Sequence, residues 1–254
     1  MTEENKELAT KVKTSIATQT VKRGLEDGVD SSDLIIPRLM LIQNTPPKTV
    51  VVDRKTCPPG ALINSLTALP LQLDDKEGIP FLPIIRGVKW IRFNAQEEGK
   101  PGYDSRFETG GKIWESRDPR DPRVIAEGAW GPKGEPPIAT KFIEFLIMVP
   151  SEDMPLVIGF SKTSFAAGKQ LTSMVQYTKK ADIFAEKYRL RAKQEQNDQK
   201  QKFYVLTVEK IGDCTPEEYK QAEAYYNGFV GRKLKVHGEE EEATPVSKRQ
   251  PWED

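Results

Sequence analysis

A chain of 254 residues fits one large domain or two small ones, and 37 % hydrophobic against 30 % charged residues leaves part of that length outside any core. No apolar run approaches the roughly 20 residues that cross a bilayer, and the opening MTEENKELATKVKTS lacks the apolar stretch of a secretory signal. Membrane insertion and export are therefore not expected; a cytoplasmic location is. The formal charge of zero is unevenly spread. Residues 1–33 carry seven acids and five bases and residues 239–254 six acids and two bases, so the stretch between them must carry +6.

In chain order, residues 1–33 read as a flexible polar arm with a short helix near 6–22, followed by breakers from Glu26 to Asp33. Residues 34–236 read as a β-rich core. It opens at Leu34–Ile42, where Pro37 predicts two short strands or an edge strand. Further strands are expected at 49–53, 61–66, 69–73, 81–86, 87–94, 138–149 and 154–160, punctuated by Pro and Gly. Residues 96–137, rich in Gly, Pro, Asp and Arg, read as a long excursion without strong periodicity. Phe165, Leu171, Met174 and Val175 recur at helical spacing and predict a helix over 163–178. A second helix is expected over 216–229: Thr215 is its N-cap, Pro216 takes N1, and Glu218 at N3 completes a capping box. Residues 184–193 and 202–209 alternate as a hairpin with a long polar tip. Residues 237–254 read as a disordered acidic tail. The pattern predicts a mainly β (α+β) fold, a barrel or sandwich with two or three helices and flexible termini.

No catalytic, metal or cofactor site emerges. His237, the one histidine, reads as a solvated bystander at the edge of the acidic tail, so a nucleophile–base pair is not expected. Gly159 and Gly168-Lys169 fail the phosphate-loop spacing, with eight residues intervening and Gln170 in place of Ser or Thr. Asp74-Asp75 and Glu97-Glu98 offer carboxylates for magnesium but read more simply as solvated loops. Cys57 and Cys214 have no partner pattern and are expected to be reduced thiols.

The strongest positive signal is the strand 184–193. Phe184, Tyr188, Leu190 and Ala192 take one face, and Lys187, Arg189, Arg191 and Lys193 the other. The four cations lie about 7 Å apart, a spacing that can track the phosphates of an extended strand; the plainer reading is an edge protected by cations. A second signal is the interleaving of Arg86, Lys89, Trp90, Arg92 and Phe93, which sets rings beside cations. Trp114 and Trp130 lie in the polar excursion and are candidates for stacking on bases. The third is the tail, where Glu239, Glu240, Glu241, Glu242, Trp252, Glu253 and Asp254 form an acidic, aromatic segment suited to docking on partners.

Two stretches, Ile36–Gln43 (IPRLMLIQ) and Pro59–Thr67 (PGALINSLT), together with the acidic tail, resemble single-stranded-DNA-binding proteins of bacteriophage. The resemblance implies an oligonucleotide-binding (OB), Greek-key barrel and sequence-tolerant binding of single-stranded DNA in replication or recombination. It also implies that the tail regulates the protein or meets replication partners, with the host cytoplasm as its setting. The expected activity is non-catalytic, with no cofactor, and a homo-oligomer is compatible with it. Two alternatives stand beside this one: a phage structural or assembly protein, and a metal-dependent nuclease or accessory enzyme.

Overall fold

The computed structural model describes residues 34–44, 52–72, 78–232 and 235–237. The arm, the helix at 6–22 and the tail from residue 238 onward lie outside these residues.

Pro37 splits the first apolar run as its missing N–H requires, leaving β1 (Ile35–Ile36) and β2 (Arg38–Leu41). β3 (Leu62–Asn64) and β4 (Pro70–Gln72) follow. β5 (Ile79–Phe93) is one 15-residue strand where two were expected. It slips register between Pro83 and Ile85, and this irregularity changes which face each residue presents. Alternation alone sends Ile79 and Phe81 to one core and Leu82 and Ile84 to another, and the slip lets Ile85 follow Ile84 into the second. The excursion holds two elements that its composition concealed, β6 (Lys112–Ser116) and α1 (Pro122–Glu127). Then come β7 (Thr140–Met148), β8 (Leu156–Phe160), α2 (Phe165–Gln176), β9 (Glu186–Gln196), β10 (Lys202–Asp213), α3 (Pro216–Phe229) and β11 (Lys235–Val236). Residues 52–53, the described end of the strand expected at 49–53, lie outside any strand. Cys57 and Cys214 are free thiols.

The main sheet runs β10-β9-β5-β7-β8-β2-β3-β4, with β6 also pairing to β5. It is mixed, because β2 and β8 are parallel while its other pairs are antiparallel. The sheet curls around an apolar interior that includes Leu39, Phe81, Phe145, Ile158, Phe160, Tyr188, Leu190 and Leu206. Helix α2 closes this interior with Ala167, Leu171 and Val175. Gly168 lets that helix come close, since a Cβ there would lie 2.6 Å from Phe160 Cβ. On the outer face, α3 and the small parallel β1–β11 pair cover Leu82, Ile84, Leu146 and Met148.

Among the described residues, side chains rather than a further ladder bridge the β10 edge to the chain after β2. Gln43 Nε2 donates to Tyr204 O at 2.8 Å, and Gln43 Oε1 accepts from Tyr204 N at 3.0 Å. One amide side chain thus satisfies both backbone groups of a residue on the β10 edge, much as a paired strand does. Ser164 Oγ accepts from Leu206 N at 3.1 Å further along the same edge. The ring of Tyr204 rests on Gly60, where a φ of +93° and a Cβ that would lie 2.5 Å from that ring exclude a side chain. The architecture is thus mainly β, a curled mixed sheet of half-barrel form with three α-helices among the described residues.

Candidate nucleic-acid interface

Strand β9 alternates as its sequence requires. Tyr188, Leu190 and Ala192 are buried on the inner face, and Lys187, Arg189, Arg191 and Lys193 share the outer one. Each of these cations meets a carboxylate. Lys187 Nζ lies 2.6 Å from Glu218, Arg189 and Arg191 each lie 3.1 Å from Glu209, and Lys193 lies 3.2 Å from Glu195. Glu209 stands directly opposite Arg189 in the β9–β10 ladder. The Arg189 and Arg191 side chains are 35 % and 34 % exposed and Glu209 is 45 % exposed. Water screens such pairs to about 0–1 kcal/mol, little enough for a phosphate oxygen to compete for the guanidinium groups.

The second cluster is dispersed. Lys89, expected to meet phosphates, is fully buried, 2.9 Å from Glu144 and 3.5 Å from Glu115. Trp90 and Trp114, expected to stack on bases, are core residues with Ile113, Val124 and Ala139. The Trp114 indole donates to Glu127 at 3.1 Å, and Lys141 Nζ sits 5.1 Å from the centre of the Trp90 ring. The excursion is polar in composition, yet it folds back to bury these rings: β6 pairs with β5, and Gly128 packs against Trp90. Arg92 is 2.9 Å from Glu127. Arg86 is exposed but donates to Thr172 on α2 at 3.2 Å. It pairs in register with the core residue Phe145, which places it on the face opposite the β9 cations. Trp130 alone of the three predicted stacking rings is exposed, at 70 %. The acidic tail lies outside the described residues. His237 is not a solvated bystander: it is half-buried, its N–H donates to Ile36 O, and its Nδ1 lies 3.1 Å from Ser65 Oγ.

Cross-strand register assembles a charge cluster that the linear sequence hides. Glu144 on β7 is flanked by Gly87 on β5 and Gly159 on β8. Without side chains at those two positions, cations from both sides can lie over the sheet. Lys89, Arg117 and Arg38 approach the buried Glu144 carboxylate at 2.9, 3.0 and 3.7 Å. Each glycine alone reads as a strand breaker, so only the register reveals the site.

Titration follows the same geometry. Burial alone would raise the pKa of Glu186, but hydrogen bonds from Lys210, Thr178 and Tyr188 outweigh it and hold the carboxyl below its ordinary value. Tyr188 is pushed up by burial and by its bond to Glu186. Among the described residues, no three or more His, Cys, Asp or Glu side chains are placed to hold a metal ion, and no helix is long and apolar enough to cross a membrane.

The described residues thus form a mainly β protein with a line of partly exposed cations on β9, each paired with a carboxylate. A family model described as Pam3 phage gp34-like protein matches residues 4–235, most of the chain. The chain belongs to that family of phage proteins. No curated protein and no solved structure matches it.

Proposed function

We propose that this phage protein is a non-catalytic binder of single-stranded DNA, gripping the backbone along the outer face of β9. The observation that carries the reading is the alternation of β9, which sets Lys187, Arg189, Arg191 and Lys193 on one partly exposed line. An OB-type barrel, a role in replication or recombination, and partner docking through the acidic tail belong to the same reading. On it, Glu209 is a resident competitor of phosphate, because it holds two of the four cations. Titration with oligo-dT at two salt concentrations tests the proposal. The double variant Arg189→Glu with Arg191→Glu is expected to weaken binding about tenfold or more, and Glu209→Gln to strengthen it. No binding by the parent protein at low salt ends the reading. Trp130→Phe reports whether that ring stacks, by loss of fluorescence quenching.

A second reading, a phage structural or assembly protein, is favoured by Ile125 and Trp130 on the excursion and Ile138 just after it, which are 65 %, 70 % and 42 % exposed. Large apolar side chains left exposed near one another in sequence suit a protein contact. High-order assembly in light scattering without nucleic acid, abolished by Trp130→Ser, would favour it over DNA binding.

A further inference from the structure

Beside the Glu144 cluster, the outer face carries a recess of about 340 Å³. Arg117 and Glu144 form one wall, Phe229 and Arg232 at the end of α3 form another, and Leu146 belongs to its apolar floor. Arg117 reaches Glu144 at 3.0 Å and Glu115 at 4.0 Å, yet Glu144 is already met by Lys89 at 2.9 Å and approached by Arg38 at 3.7 Å, and Glu115 lies 3.5 Å from both Lys89 and Lys112. Two carboxylates, Glu115 and Glu144, are thus shared among four cations, Arg38, Lys89, Lys112 and Arg117. The Arg117 side chain is 43 % exposed, so its guanidinium faces the recess as well as the cluster. Arg232 is exposed and has no carboxylate within salt-bridge distance among the described residues. It also stands where a cation suits the negative end of α3, so loss of stability alone would not separate the two roles.

We propose that this recess binds a phosphate group between the guanidinium groups of Arg117 and Arg232. A phosphate monoester carries nearly two negative charges and three acceptor oxygens, which matches two guanidinium forks better than a single carboxylate does. The apolar floor can cover the organic body attached to it. The phosphate comes either from a small phosphorylated molecule or from a nucleic-acid strand, and the site does not depend on the β9 stripe.

Isothermal titration of the full chain with thymidine 5′-monophosphate tests the proposal, with thymidine as the probe lacking phosphate. Saturable binding of the monophosphate and none of thymidine is expected. Arg232→Ala and Arg117→Gln should each weaken it about fivefold or more, as loss of a charge-assisted contact does, while Lys133→Ala, which removes an exposed cation away from the recess, leaves it unchanged. Glu144 keeps Lys89 and Arg38 in the Arg117→Gln variant, so that protein should fold, which circular dichroism checks. Displacement of the monophosphate by oligo-dT would assign the site to a strand's phosphates; persistence of the monophosphate would assign it to a small ligand. Equal affinity in the parent and both arginine variants, or equal binding of thymidine, overturns the proposal. Failure of oligo-dT to respond to the β9 variants would overturn the DNA reading and leave this one standing.

Discussion

Glu144 is 4 % exposed in the middle of the sheet, where a buried carboxylate is costly without partners. Its cations therefore decide the stability of that region. Truncating it leaves Lys89 buried with its nearest carboxylate gone, so Glu144→Ala is expected to cost about 3–5 kcal/mol in urea unfolding. The paired variant Lys89→Met with Glu144→Leu should cost much less, because both charges go together. Glu186 gives a pH-dependent case. Its folded pKa lies below the unfolded value near 4.5, so its contribution is complete above that pH and is lost as the pH falls through the folded pKa. Melting temperature should fall below about pH 4.5, and Glu186→Gln should flatten that limb of the profile. At this scale the sequence was half legible. Alternation assigned residues 187–193 of β9 to their correct faces, but Phe184, expected beside Tyr188 and Leu190, lies in a short 3-10 turn before the strand and packs in the other core against Tyr219. It could not tell that Lys89 points to a buried carboxylate, since Gly87, Glu144 and Gly159 meet only through strand register.

Among the elements, α3 begins and ends where its sequence says, because its signals are local. Thr215 Oγ1 accepts from Glu218 N at 3.2 Å, and Glu218 Oε2 accepts from Thr215 N at 2.8 Å. Thr215→Ala should cost about 0.5–2 kcal/mol in thermal or urea unfolding. The same start signal stands at Asp121-Pro122, where Asp121 caps α1 by accepting from Arg123 N. It was legible but lay inside a stretch read by composition alone. β6 is harder to read, being five residues long and held by pairing with a β5 segment twenty residues earlier. The Gln43 closure has no local signal at all. Gln43→Ala removes both side-chain bonds to Tyr204 and should cost about 1–3 kcal/mol. Hydrogen exchange at the Tyr204 amide should accelerate, while central β7 amides slow or hold steady relative to it.

For the whole molecule, the +6 of the middle segment does not become a bare cationic surface. Lys187, Arg189, Arg191 and Lys193 share Glu218, Glu209 and Glu195, so four cations carry three acids with them. Net charge counts residues, whereas a polyanion meets only what the carboxylates leave exposed. If DNA binds along β9, about four phosphates at most are neutralised there, and the slope of log affinity against log salt should be no steeper than about −3. A steeper slope would require cations elsewhere, the arm and the recess beside Arg232 included. The mainly β class and its helical decoration could be read from strand-length runs and turn residues. The order of strands could not, because β2 pairs with β8, nearly 120 positions later, for only two residues.

The amide bridge from residue 43 to residue 204 also constrains how the chain comes together during synthesis. When β2 and β3 leave the ribosome, their interior-facing partners on β8 and β10 do not yet exist, and loop closure over such spans is slow. The curled sheet can seal only after the β9–β10 hairpin has emerged, which makes this contact a late step in folding. A ribosome stalled before residue 204 is exposed should hold a chain whose interior is open to protease, and one stalled well beyond it should hold a resistant one.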